Sequence, residues 1–264
     1  MAYTDAMSSY ELLAPYYDEF FPQSSCATSF LLSLAAQAPG KSRDGDAGPL
    51  AVDFGCATGS QVLDLAANGW RAVGWEPCAA MLEIARRKAR ERRLDASFEP
   101  FVMQDATTRL EPRSVDLALC LGNTLPHLGG EDELARFIAD LSAVLAPGGA
   151  VALQLLNYER VLRILASGEY RFPTLRARDA SLERSYALAS DGGLEFRVVI
   201  DSSGGRFSET NRLSPFTRDA VASRLASSGF ERIASRSGWD RESFDQAEDD
   251  YLIVVARREG TRRV

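Results

Sequence analysis

Short apolar runs, the pattern of strands buried on both faces, alternate along this chain with longer stretches whose apolar residues recur every third or fourth position, the pattern of amphipathic helices. Leu50 to Phe54 predicts a first strand, and 60–68 a helix closed by Asn68-Gly69. Trp70 to Trp75 predicts a second strand ending at Glu76. Pro77 opens a helix from Cys78 to about Arg93, with Met81, Leu82, Ile84 and Ala85 inward and Arg86, Arg87, Lys88 and Arg90 on a solvated face. Ser97 to Met103 reads as the third strand, Val115 to Leu121 as the fourth, and Glu131 to Leu145 as a helix that Pro147-Gly148-Gly149 turns into a fifth strand, Ala150 to Leu156. Strands alternating with helices at this spacing predict an α/β fold, a doubly wound and mostly parallel sheet of seven strands.

The pattern changes after the fifth strand. Asn157 to Ser167 reads as a short helix. Ser181 to Ala189, Leu194 to Asp201 and Gly205 to Leu213 read as three strands joined by hairpin turns at Asp191-Gly192-Gly193 and 202–205. They predict a small antiparallel β insert. Thr217 caps a helix running to Ser228, strand six follows near 231–236, and the last strand, Tyr251 to Ala256, leads into a basic tail. Upstream, Tyr10 to Phe21 is aromatic and interrupted by Pro15, Cys26 to Ala38 is helical with Phe30, Leu31 and Leu34 on one face, and Pro39 to Pro49 is a loop. The expected organisation is an N-terminal helical lid (1–40), a ligand-binding domain made of 41–157 and 214–264, and an inserted subdomain (158–213) on the substrate side.

Composition narrows the function. The 264 residues are 45% hydrophobic, enough for a full core, and carry a formal charge of −7, unfavourable for a partner with a phosphate backbone. Cys26, Cys56, Cys78 and Cys120 are widely spaced, and there is a single histidine, so neither a disulfide framework nor a zinc site is expected. Met1 to Tyr10 lacks the apolar centre of a signal peptide, and no run reaches the roughly 18 apolar residues of a membrane span. The expectation is a cytoplasmic protein with a small-molecule substrate, no metal, no nucleic-acid or membrane partner, and an oligomeric state the sequence leaves open.

The chemistry converges on strand ends, where doubly wound sheets bind ligands. After the first strand, Asp53-Phe54-Gly55-Cys56-Ala57-Thr58-Gly59 is an acid followed by a tight turn of small residues and a helix start, a cradle for a ligand backbone. A dinucleotide fingerprint fails here, since its second and third glycines would fall on Ala57 and Ser60. Glu76 at the end of strand two can accept from both hydroxyls of a ribose, or it can stabilise the start of the helix at Pro77. Asp105, with the backbone of Ala106, can meet an adenine edge or close its own turn. Asp53 can orient the loop or receive an amino group.

The acid-x-Gly-x-(Gly/Ala)-x-Gly pattern at Asp53, Gly55, Ala57 and Gly59 resembles motif I of class I S-adenosylmethionine (SAM)-dependent methyltransferases. Leu121-Gly122-Asn123-Thr124-Leu125-Pro126-His127-Leu128 and Asn157-Tyr158-Glu159-Arg160-Val161-Leu162 resemble two motifs of the glycine and sarcosine N-methyltransferase branch, and Arg212-Leu213-Ser214 a weaker third. The resemblance implies a Rossmann-like methyltransferase fold with SAM as cofactor. The cofactor would be held by Tyr17, Asp53, Gly55, Cys56, Ala57, Gly59, Glu76, Pro77, Asp105, Ala106, Leu121 and Asn123. Asn123, His127 and Tyr158 would stand at the chemistry, Asn123 and Tyr158 positioning a neutral amine and His127 available to take its proton. The resemblance also departs from the branch: where the glycine enzyme has a substrate-binding arginine just before Asn-Tyr, this chain has Leu156. Unless Arg163, Arg171 or Arg212 replaces it, a larger or less acidic amine is expected. O-methylation of a small natural-product hydroxyl, and SAM binding without catalysis, remain open alternatives.

Overall fold

The computed structural model describes residues 8–36, 48–190 and 193–260. Its N-terminal segment is Ser9–Leu13 (α1), Tyr17–Phe20 (α2) and Ser25–Ala36 (α3), with a 3-10 turn at Ala14–Tyr16 where Pro15 interrupts the helix. The central unit runs Leu50–Phe54 (β1), Ser60–Ala67 (α4), Arg71–Trp75 (β2), Ala79–Arg92 (α5), Ala96–Glu99 (β3), Ala106–Arg109 (α6), Val115–Cys120 (β4), Glu131–Val144 (α7) and Leu145–Leu156 (β5). After Tyr158–Leu165 (α8) come Tyr170–Arg171 (β6), Leu175–Arg176 (β7), Ala180–Leu188 (β8), Leu194–Ser202 (β9) and Gly205–Leu213 (β10). Arg218–Ser227 (α9), Phe230–Arg236 (β11) and Tyr251–Arg258 (β12) complete the chain.

Seven strands form one sheet in the order β11-β12-β5-β4-β1-β2-β3, in which β12 runs antiparallel to both neighbours. Successive residues of the central strands serve opposite faces, as a two-residue period requires. Val52, Phe54, Ala118, Cys120, Val151 and Leu153 enter one core, while Ala51, Leu117, Leu119, Ala150 and Ala152 enter the other. Helix α7 seals the first with Leu134, Phe137, Ile138, Leu141 and Val144 on a single stripe. Strand order reverses between β4 and β1, so the loops after them, beginning at Leu121 and Gly55, open a crevice at the carboxyl edge of the sheet.

A second, antiparallel sheet runs β10-β9-β8-β6, with β7 also paired to β8. Its buried face carries Leu182, Val198 and Ile200, which share a third apolar cluster with Leu13 and Phe20 of the N-terminal segment and Met81 of α5. The N-terminal segment therefore bridges the two sheets above the crevice.

Several boundaries differ from the sequence reading. Pro147-Gly148-Gly149 does not turn the chain into β5: the strand already begins at Leu145, and these residues form an irregularity within it, with Gly148 at φ 79°. The third strand stops at Glu99 rather than Met103, since Pro100 has no amide to continue the ladder. The basic tail starts inside β12. Arg257 is buried, and its guanidinium donates to the carbonyls of Gly148 (3.1 Å) and Leu34, while Arg258 Nε donates to Ser142 O (2.8 Å). The arginine face of α5 is not wholly solvated, because Arg86 donates to Phe98 O through Nε and Nη2 and Lys88 pairs with Asp18. Most of the Pro39–Pro49 loop, Asp191-Gly192 of the first hairpin turn, most of the Met1 to Tyr10 stretch and the last four residues lie outside the described residues.

Candidate active site

The crevice is a cleft of about 480 Å³, within the range of small-molecule sites. Tyr17, Asp53, Gly55, Cys56, Ala57, Leu121, Asn123 and His127 line it, and thus come together from the N-terminal segment, the β1 loop and the β4 loop. Gly59, Glu76, Pro77, Asp105, Ala106 and Tyr158 do not line it.

The loop after β1 owes its shape to two left-handed glycines. At Gly55 (φ 78°) a Cβ would lie 2.4 Å from Thr124 Cγ2, and at Gly59 (φ 77°) 2.4 Å from Phe98 Cε1. Both glycines are therefore demanded by packing within the protein as well as by the turn. Glu76 stands behind the loop. Its Oε2 accepts from Ala57 N (3.0 Å) and its Oε1 from Cys78 N (2.9 Å), so one carboxylate ties the glycine loop to the start of α5. Burial raises its pKa, against the lowering effect of those amides. Asp105 turns its carboxylate back to accept from Val102 N (3.2 Å), and Ala106 is fully buried.

Asp53 is the electrostatic anomaly. It is the penultimate residue of β1, at 4% exposure, and its Oδ1 is buried with no hydrogen-bond partner. Burial, with Glu76 adding repulsion, pushes its pKa up to about 7. A carboxyl so placed is held ready for a cationic donor.

Asn123 occupies a left-handed position (φ 70°) at the turn after β4. Its Oδ1 accepts from Leu156 N and from the Tyr158 hydroxyl, each at 3.1 Å, and its Nδ2 donates to Tyr186 Oη at 3.2 Å. The Tyr158 and Tyr186 hydroxyls lie 3.4 Å apart, closing a triangle. Tyr158, expected at the chemistry, is fully buried and meets the cleft only through its hydrogen bond to Asn123. Its neighbour Asn157 is also buried. Asn157 Oδ1 caps α8, and its Nδ2 donates to the carbonyls of Gln246 (3.0 Å) and Asp249 (2.8 Å).

His127 Nε2 is 3.0 Å from the Tyr10 hydroxyl, with the two rings edge to face. Desolvation lowers the imidazole pKa, and it raises the phenol pKa of Tyr10 and of Tyr17. Beside Tyr17, Asp18 accepts from Thr58 Oγ1 (2.6 Å), Ser60 Oγ (3.2 Å) and Lys88 Nζ (2.8 Å), pinning the N-terminal segment over the glycine loop.

Among the cleft residues that sequence reasoning missed are Tyr10, Arg184 and Tyr186. Tyr10 sat in the aromatic segment already singled out. Arg184 and Tyr186 stand two and four residues after Leu182 in β8, and the two-residue period of a strand puts all three on one face. The three arginines considered as substitutes for a cation at Leu156 do not reach the cleft: Arg163 donates to the carbonyls of Gln246 and Ala247, Arg171 pairs with Glu169, and Arg212 is likewise absent from the lining.

Among the described residues, no group of three or more His, Cys, Asp or Glu side chains could hold a metal ion, and no helix is long and apolar enough to cross a membrane.

Residues 51–149, from β1 into β5, match the family described as methyltransferase domain. Glycine N-methyltransferase of Mus musculus is 26% identical over 121 residues, 42% of this chain and 41% of that protein, so the chain spans about two fifths of that relative's length. Glycine/sarcosine N-methyltransferase of Parasynechococcus marenigrum is 25% identical over 213 residues, covering 79% of this chain and 71% of the relative. A crystal structure of a SAM-dependent methyltransferase from Clostridium acetobutylicum superposes with a TM-score of 0.77 over 96% of this chain and 100% of that one, at 14% identity, and shows the shared fold. Residues 51–149 are thus a methyltransferase domain, and the chain as a whole carries the fold of the SAM-dependent methyltransferases.

Proposed function

We propose that the chain methylates a small-molecule acceptor at an amine nitrogen. The observation that carries this reading is the unpartnered Asp53 Oδ1, buried at the floor of a cleft that also holds His127 and the Asn123 turn. An orphaned carboxyl oxygen suits the α-ammonium of SAM, the left-handed turn at Gly55 leaves Cys56 and Ala57 along the same wall, and Glu76 holds the loop from behind. When bound, SAM would supply a methyl group on a sulfonium: the acceptor nitrogen would bond to the methyl carbon as the carbon–sulfur bond breaks, its electron pair staying on the sulfur of S-adenosylhomocysteine, and the nitrogen would lose one proton.

The chain's own residues then have separable tasks. Tyr10, Tyr17 and Phe21 cover the cleft from the N-terminal segment and exclude water. Asn123, fixed by Tyr158 and Tyr186, sets the edge against which an acceptor aligns, and alignment alone can be worth about 7–11 kcal/mol. His127, neutral at pH 7 because its pKa is lowered, can receive the amine proton at Nε2 or through the Tyr10 hydroxyl. The glycine and sarcosine N-methyltransferase names of the relatives support nitrogen as the nucleophile. A second reading, O-methylation of a small hydroxyl, is favoured by the aromatic insert wall of Phe172, Tyr186 and Phe196. Four free thiols, Cys26 exposed among them, support a reducing, cytoplasmic setting.

The test is incubation with SAM and a mixed panel of primary amines, secondary amines and phenols, with methylated products read by mass. N-methylated products support the reading. Methylation of phenols alone would replace it with the second.

A further inference from the structure

We infer that Arg184 is the specificity residue of the acceptor end of the cleft, and that it selects an amine bearing a carboxylate on an apolar or aromatic body. The inference rests on the methyltransferase reading above and names the acceptor class for that same site.

By the two-residue period of a strand, Ala180, Leu182, Arg184 and Tyr186 share one face of β8, the face that carries buried Leu182 and Tyr186. A guanidinium therefore interrupts an otherwise apolar face. Across the ladder its partner is Val198, and Tyr186 faces Phe196. The guanidinium lies over two rings, Phe172 at 4.6 Å and Phe21 at 5.2 Å, one from the insert and one from the N-terminal segment. Stacking holds its plane but offers no acceptor for its N–H groups. Nε is buried without a hydrogen-bond partner, and no carboxylate among the described residues pairs with this side chain. Two other arginines of the insert are paired, Arg178 with Glu19 and Arg206 with Glu183 and Asp201. Arg184 lines the cleft and is not.

A partly buried cation without an anion is costly in an apolar wall unless a ligand completes it. A planar fork of N–H donors pinned between two rings matches a carboxylate in two-point geometry. Charge is also divided along the cleft: Asp53 lies at the sheet edge, Arg184 on the insert wall. A zwitterionic acceptor would be drawn with its carboxylate toward the insert and its nitrogen toward the Asn123 turn. The cation thus arises from β8 of the insert rather than from the position of Leu156.

A carboxylate could come from the acceptor or from the methionine portion of the cofactor, and the experiment separates the two. Matched probes with and without the carboxylate (phenylalanine and phenethylamine, phenylglycine and benzylamine, 4-aminobutyrate and butylamine) are offered with SAM to wild type, Arg184→Gln and Arg184→Lys. S-adenosylhomocysteine affinity is measured in parallel by calorimetry, and folding by circular dichroism. The expected result is a wild-type preference of at least about tenfold in kcat/KM for the acidic member of a pair, abolished in R184Q and partly kept in R184K. Homocysteine-ligand affinity should change by less than about threefold, a shift too small for a lost charge-assisted bond. Equal turnover of acidic and neutral members by wild type overturns the inference, and so does failure to methylate any probe while the ligand still binds; both leave the methyltransferase reading standing. A large loss of ligand affinity in folded R184Q or R184K reassigns the arginine to the cofactor and also overturns it. Absence of ligand binding by wild type would defeat the underlying reading itself.

Discussion

Binding of S-adenosylhomocysteine should expel a proton from Asp53, and the structure sets how many. The carboxyl is buried, faces Glu76, and titrates near 7 rather than at its ordinary 3.8. That displacement corresponds to roughly 4 kcal/mol held against the ionised form in the absence of a cation, an upper figure for a group this buried. The sign follows: the folded protein keeps a proton the unfolded chain has released, so Asp53 favours folding below about pH 4 and this contribution is lost as pH rises through 7. An α-ammonium against Oδ1 should lower the pKa by about 1–3 units, to roughly 4–6. With a bound-state value near 5, proton release should be about 0.8 per ligand at pH 6 and about 0.5 at pH 7. Calorimetric titration in buffers of different ionisation enthalpy reads this number as the slope of observed heat against buffer enthalpy. Asp53→Asn removes the titrating group and should bring the release close to zero, which separates Asp53 from Glu76. Release below about 0.1 proton at pH 6, or equal release from D53N, would refute the placement of the cation at Asp53.

Four further expectations follow from single contacts. Glu76→Gln turns an amide N–H toward either Ala57 or Cys78 and should weaken ligand affinity about tenfold or more, measured by the same calorimetry. Tyr158→Phe removes the hydroxyl that fixes Asn123 and should lower kcat more than ligand affinity, with Tm reduced by about 2–4 °C for a loss near 1 kcal/mol. His127→Asn should remove the acid limb of the pH–rate profile, a limb lying below 6.5 because desolvation lowers this pKa; an unchanged profile eliminates the imidazole as base. Gly59→Ala meets both a left-handed backbone and the Phe98 ring at 2.4 Å, and should cost about 2–5 kcal/mol; combining it with Phe98→Leu should cost less than the two separately, in thermal denaturation.

The central sheet was legible because its signals are local. Apolar runs bounded by Gly, Pro and charged residues put β1, β2 and β4 within a residue or two of their observed limits, and Thr217 caps α9 by accepting from Ala220 N, as its position suggested. What escaped was set by distant partners. Pro147-Gly148-Gly149 reads as a turn, yet Arg257, more than a hundred residues away, donates to Gly148 O and holds the irregular segment in the strand. The two-residue strands β6 and β7 exist only because β8 offers them an edge, and nothing in Tyr170-Arg171 or Leu175-Arg176 announces it.

The site divides along the same line. The turn at Gly55 and the turn at Asn123 are sequence motifs and could be named in advance, because each is a strand end plus residues tolerant of positive φ. Their relation to Tyr10, Tyr186 and Arg184 could not, since each of these reaches the cleft from a separately folded segment. Tyr158 shows why a motif fixes identity better than role. The Asn-Tyr pair follows the end of β5, but the phenol is buried and its hydroxyl reaches the amide of Asn123 rather than the cleft. A residue whose hydroxyl is spent on another side chain should show its influence as lost alignment rather than lost binding. The split between kcat and affinity in Tyr158→Phe is therefore the measurement that separates a positioning residue from a contact.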